Sequence, residues 1–149
     1  MNYLFYFLLA LVSGLSSIYY GFIGINPIDN FTIYNTGYYL LNGYIPFKDF
    51  WVVTGPFLDL FQLFIFKIFG VNWLSYTFHS AFFNIIFVLS SYFVFKKFKL
   101  DTNYAFTYSL FLSLISYTQV GTPFVDHHAT ILCLIGLNFF ILAIKTNEN

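Results

Sequence analysis

Long apolar runs, separated by two polar stretches and one lysine cluster, set the pattern of this chain. The runs are Tyr3–Ile25, Leu74–Phe95, Tyr104–Val120 and Ala129–Ile144. Continuous apolarity over about 20 residues predicts a membrane-spanning helix rather than one half-buried face of a soluble domain. Tyr3–Ile25 carries no charge, and Gly14, Ser16 and Ser17 give it a small face for close helix packing. It lacks a basic leader and a small-residue cleavage site, so it reads as a retained anchor.

The longest polar interruption, Asn26–Pro56, opens a loop over residues 26–73 that has a pattern of its own. Asn26-Pro27-Ile28-Asp29 opens it, Tyr34, Tyr38 and Leu41 follow at helical spacing, and Gly43 ends that short helix. A second helix is marked at both ends. Pro56 stands at its first position, Asp59 in the first turn, Lys67 in the last and Gly70 just beyond. Its span, Pro56–Phe69, is only about 21 Å long at 1.5 Å per residue, against roughly 30 Å of hydrocarbon. Asp59, Gln62 and Lys67 lie on one flank, which suits a juxtamembrane helix in the interface.

Charge orients the spans. Lys96, Lys97 and Lys99 form the basic cluster, which belongs on the cytoplasmic side. The first span then runs outward, and residues 26–73 and 121–128 become outer loops. Lys145 and both termini fall inside. The expected fold is an all-α membrane protein of about four transmembrane helices with interfacial helices in the first outer loop, one transmembrane domain over residues 1–149.

Composition supports this. The chain is 59% hydrophobic and 8% charged, which excludes an ordinary soluble domain. Its formal net charge is +0, so nothing points to nucleic acid. The one cysteine, Cys133, allows neither an internal disulfide nor a thiolate metal site. Phe and Tyr abound while Arg is absent, as AT-rich coding would give; the scarce charges are therefore more informative than aromatic stripes.

Those charges converge on the outer side. Asp29 precedes the first short helix, where it suits an N-cap or a reactive carboxylate at the bilayer surface. Lys48 and Asp49 share its loop, and Asp126, His127 and His128 occupy the second. Such carboxylates and imidazoles suit general acid–base work or a divalent cation, with Asp29 and Asp126 as the candidate ligands. Asp126 also suits a helix cap, and adjacent histidines on a helix point about 100° apart, which works against joint ligation. His79 and Asn84, inside the second span, read as interhelical hydrogen-bonding groups.

Taken together, an acidic residue after the first span (Asp29), a short helix to Gly43, the run Phe47-Lys48-Asp49-Phe50 before Gly55-Pro56, an amphipathic stretch closing in Phe69-Gly70, and Asp126 opening the last span resemble the N-terminal part of the GT-C membrane glycosyltransferases. That group includes the protein O-mannosyltransferases and lipid A aminoarabinose transferases. The resemblance implies inverting transfer of a sugar from a polyprenyl-phosphate carrier to an acceptor at the outer face of a bacterial inner membrane. It implies Asp29 and Asp126 as catalytic acids, and Lys48, Asp49, His127 and His128 as substrate-binding residues. It also implies that the chain is part of a larger architecture, or a subunit whose further spans come from a second chain. The other expectation is a non-catalytic membrane scaffold or assembly partner.

Overall fold

A computed structural model describes residues 3–24, 31–53, 55–117 and 121–147. Among these the helices are α1 (Tyr3–Ile23), α2 (Thr32–Leu41), α3 (Pro56–Phe69), α4 (Trp73–Lys97), α5 (Thr102–Ile115) and α6 (Val125–Asn147). The fold is all-helical. Three of the helices, α1, α4 and α6, are long and apolar enough to cross a membrane. The third apolar run forms only the 14 residues of α5, about 21 Å at 1.5 Å per residue, so the expected fourth full-length span is not present as one helix among the described residues.

α4 is the centre of the bundle. α1, α3, α5 and α6 all pack on it, and small or polar side chains make that packing possible: Ser75, Thr77, His79, Ser80, Asn84, Ser90 and Ser91 are all buried. What remains outside is an apolar stripe through Leu74, Phe78 and Phe82. Asn84 fastens three helices at one level, its Nδ2 lying 3.2 Å from Ser13 O and 2.9 Å from Ser17 Oγ on α1, and 3.2 Å from Ser113 O on α5. Ser16 adds a bond from its Oγ to Ser113 O at 2.8 Å. In apolar surroundings such side chains find partners on neighbouring helices or remain unpaired, so the polar positions of one helix choose the positions of the next.

Ring contacts show how the helices run. Phe5 stacks on Phe106 and Tyr6 meets Tyr92 edge-on, which puts the start of α1 beside the end of α4 and the start of α5. Lys145 Nζ lies 3.9 Å over the Phe98 ring, so the end of α6 joins the same end as Lys96, Lys97 and Lys99. At the opposite end Trp73 Nε1 donates to Gly21 O at 2.9 Å, and Ser80 Oγ donates to Gly121 O at 2.7 Å. There the backbones of Gly21 and Gly121 touch. A Cβ at Gly121 would collide with the backbone nitrogen of Gly21, and its φ of 56° is left-handed as well, so only glycine fits.

The two short helices behave in opposite ways. α3 has the bounds and punctuation expected, with Pro56 at its start and Gly70 at φ 79° after its end. Its orientation is different. Asp59 and Gln62 are buried against α2 and α4, while Phe57, Leu60, Phe64 and Ile68 face outward. α3 also follows α4 obliquely, with Phe69 beside Phe78, Gln62 beside His79 and Phe57 beside Phe83. Asp59 and Gln62 thus seal against protein, while Lys67, on the same flank, stays exposed. α2 is capped by Phe31 without a side-chain bond, so Asp29 stands two residues before the cap position, and Asp29 itself lies outside the described residues. The buried residues of α2 are Ile33, Thr36 and Gly37, where Gly37 lets Gln62 of α3 approach closely; of the Tyr34–Tyr38–Leu41 stripe, Tyr34 packs on Phe66 and Tyr76 while Tyr38 is exposed.

The glycine contact gives a direct test. Gly121→Ala should lower thermal stability in micelles by about 1–3 kcal/mol, the usual cost of overpacking. Gly136 is the control, because a methyl added there would meet nothing within 4 Å among the described residues; Gly136→Ala should be neutral or stabilising by up to about 1 kcal/mol.

Candidate functional site

The second polar stretch folds so that its three candidate residues part company. α6 begins at Val125, which places Asp126, His127 and His128 in its first turn, each rotated about 100° from the last. Asp126 is exposed, His127 half-buried and His128 fully buried. Asp126 is therefore a first-turn carboxylate, where the helix dipole favours negative charge. Its backbone oxygen accepts from Thr130 Oγ1 at 2.8 Å.

Asp126 and His127 stand at an open groove of about 490 Å³ between α4, α5 and α6. Its walls are Phe87, Leu112, Ile115, Phe124, Ile131 and Leu134, and Ser116 and Thr130 join Asp126 and His127 as its polar lining. His127 is held by ring contacts with Tyr117 and Phe124, at 5.7 and 6.1 Å between centroids. Apolar walls with a few convergent polar groups are the usual make-up of a small-molecule site, and the volume falls within the ordinary range of about 300–1,000 Å³. The groove is itself amphipathic, with apolar walls along α5 and α6 and its charged and polar groups at the α6 start.

His128 turns the other way. Its Nδ1 lies 3.0 Å from Phe124 O and 3.0 Å from the Tyr117 hydroxyl, which also lies 3.3 Å from Nε2. A carbonyl only accepts, so the Phe124 contact puts the proton on Nδ1, and the Tyr117 hydroxyl lies close to both ring nitrogens. On its inner side His128 meets the His79 ring edge-on at 4.8 Å. His79 Nδ1 in turn lies 2.8 Å from Gln62 Oε1 on α3. A buried polar seam thus crosses the molecule from α3 through α4 to α6 and ends at Tyr117.

The first-loop candidates sit elsewhere. Asp49 Oδ2 accepts from Ile45 N at 2.8 Å and closes the turn Ile45–Phe50, in which Phe47 adopts a φ of 64°. Lys48 is exposed on that turn. The turn roofs a cavity of about 280 Å³ with Leu40, Val52, Pro56 and Leu60, at which the buried Asp59, bonded by Thr36 Oγ1, also lies. No hydrogen bond or ion pair joins Lys48 or Asp49 to Asp126 or His127 among the described residues. Of the expected cation ligands, Asp29 and Asp126, the first lies outside the described residues, and among the described residues no three His, Cys, Asp or Glu side chains converge.

The sequence pattern singles out His79 and Asn84 as interhelical, and both are. It gives no place to Gln62 and Tyr117 in the seam. Gln62 had a signal, lying three residues after Asp59 on the same flank of α3; Tyr117, in an apolar aromatic run, had none. No protein-family model, no curated protein and no solved structure matches this chain.

The parting of the three residues is checked by single cysteines in a protein carrying Cys133→Ser, since Cys133 is itself exposed. Asp126→Cys should react readily with a membrane-impermeant thiol reagent and His127→Cys at an intermediate rate. His128→Cys should react at a small fraction of either, and equal rates at all three would contradict the arrangement.

Proposed function

We propose that this chain is the core, or part of the core, of a membrane glycosyltransferase that moves a sugar from a polyprenyl-phosphate carrier to an acceptor at the outer face of the membrane. The observation that carries the reading is the groove: apolar walls from α4, α5 and α6 beneath a head formed by Asp126 and His127. It suits a lipid whose reacting group is at its polar end. In this reading the acceptor hydroxyl attacks the anomeric carbon, and the bond from that carbon to the phosphate oxygen breaks. The hydroxyl proton passes to a carboxylate, Asp126 or the first-loop Asp29, and polyprenyl phosphate leaves. A phosphate is a good leaving group, so the work left to the protein is a base, a donor to the phosphate oxygens and exclusion of water. His127 is placed to donate at the groove, and Lys48 supplies positive charge from the first loop.

The same reading puts the lysine end of the bundle and both termini in the cytoplasm, following the excess of lysine there. It places α3 at the outer interface, with Phe57, Leu60, Phe64 and Ile68 turned to lipid. Further spans are supplied by a second chain.

A scaffold role is the second reading, favoured by a specific observation: Asp49 and Asp101 spend their side-chain bonds on backbone groups, Asp49 closing its turn and Asp101 capping α5 by accepting from Asn103 N at 2.9 Å. The discriminating experiment is transfer of labelled sugar from a polyprenyl-phosphate donor in membranes holding the assembled protein. Asp126→Asn and Asp29→Asn should each leave expression near normal and cut transfer about a hundredfold or more, the scale of losing a positioned acid–base group. Undiminished transfer in both variants would favour the scaffold.

A further inference from the structure

The turn Ile45–Phe50 is firmly built, yet it holds its largest side chains away from the bundle. Ile45 N donates to Asp49 Oδ2 at 2.8 Å, Asp49 N to Ile45 O at 2.9 Å and Phe47 N to Phe50 O at 2.8 Å, while Tyr39 of α2 meets the Phe50 ring at 5.1 Å. Within this frame Phe47 takes a φ of 64°, a conformation that Gly or Asn adopts more readily than a bulky residue. Its ring meets Trp51 edge-on at 6.1 Å, yet Phe47 remains 71% exposed, Trp51 78% and Val53 76%. Tyr44 and Ile45 are exposed beside them. Scattered apolar residues on a surface are ordinary, but this many crowded onto one rigid turn mark a surface that something apolar covers.

The level of the turn identifies the cover. Phe47 lines the cavity beneath the turn together with Leu60 of α3, and the next residue, Phe61, packs on Phe82 and Phe83 of α4 at 5.1 Å each. Phe83 stands about 15 Å along α4 from Trp73 at 1.5 Å per residue. Beside it Asn84 meets Ser17 of α1, and both helices are long and apolar enough to cross a membrane. The turn is therefore level with the apolar length of the bundle and not beyond its end. Its exposed side chains continue the outward face of α3, where Phe57, Leu60 and Phe64 are exposed as well. The residue types agree with this level: tryptophan and tyrosine favour the boundary between acyl chains and headgroups, and an exposed lysine such as Lys48 extends its ammonium back to water. Asp49, the other charge on the turn, is engaged by Ile45 N.

We propose that the turn Ile45–Phe50, continued by Trp51 and Val53, is a membrane-insertion element whose partner is the phospholipid leaflet on the Trp73 side. Phe47, Trp51 and Val53 enter the acyl chains, and the leaflet gives them the burial that the bundle does not. The tied backbone of the turn keeps them pointing into lipid. This role is independent of the sugar-transfer reading and stands whether or not the chain is an enzyme.

The test is tryptophan fluorescence of the full chain in phosphatidylcholine vesicles, with and without bromine atoms on the upper part of the acyl chains. The chain has two tryptophans, Trp51 and Trp73, so the difference between the unsubstituted chain and Trp51→Phe is the emission of Trp51. That substitution removes only an exposed ring and leaves the bond from Trp73 to Gly21 O in place. Brominated lipid should quench the Trp51 emission severalfold, and aqueous iodide should quench it several times less than it quenches a free tryptophan amide. Trp51 emission that brominated lipid leaves unchanged overturns the proposal in either form: with strong iodide quenching, water covers the turn; with none, protein does. Phe47→Asn suits the backbone at its position, so it should keep thermal stability in micelles while reducing the lipid quenching of Trp51 severalfold. Undiminished quenching in that variant overturns the part given to Phe47.

Discussion

A helix that must lie among apolar surroundings cannot leave its polar side chains to solvent, so they turn to carbonyls of their own helix, as Thr77, Ser90 and Ser91 do, or to a neighbouring helix. α4 carries most of that demand. Its serines, Thr77, His79 and Asn84 are buried, and each neighbour answers at a definite level: α1 and α5 at Asn84, α3 at His79, and the Gly121 backbone at Ser80. Apolar packing alone would not select these registers, because lipid chains are as apolar as the phenylalanines that cover the bundle. Interhelical hydrogen bonds are worth individually only about 0.6 kcal/mol in such settings. Their value is in fixing which faces meet, with the unpaired alternative costing about 1–3 kcal/mol for each buried group.

The same constraint explains α3. A helix with Asp59, Gln62 and Lys67 on one flank would turn that flank to water at a free surface, yet here Asp59 faces Thr36 of α2 and Gln62 faces His79 of α4, and of the three Lys67 alone is exposed. The consequence reaches the candidate site. By drawing His79 to α3, the seam leaves the other side of His79 to His128, and inward rotation of His128 turns Asp126 and His127 outward to the groove. Placement of the groove head thus depends on a contact chain that begins on a different helix.

Much of the architecture was legible from the sequence. The bounds of α3 followed from Pro56 and Gly70, and the three long helices from their apolar runs. The interhelical roles of His79 and Asn84 followed from the cost of polar groups in a span. Orientation was less legible. The flank of α3 could be seen, but whether it met water or protein depended on Thr36 and His79, 23 and 17 residues away. The third apolar run looked continuous through Val120, yet α5 ends at Ile115. Ser116 then bonds its hydroxyl back to Leu112 O, and Gly121 takes up the close approach to Gly21. Such a tight contact is set by the partner backbone and leaves no trace in local hydropathy. The parting of Asp126, His127 and His128 was legible too, because neighbours on a helix face about 100° apart; which of the three would be buried was not.

The central claim is that α4 turns a polar seam inward and a single apolar stripe outward. A nitroxide scan along residues 73–97 in lipid vesicles, read as collision with dissolved oxygen, addresses it directly. Accessibility should rise and fall with a period of about 3.6 residues, with maxima at Leu74, Phe78 and Phe82, which are exposed, and minima at Ser80, Asn84 and Ser91, which are buried. A flat profile, or maxima at Ser80 and Asn84, would contradict the account.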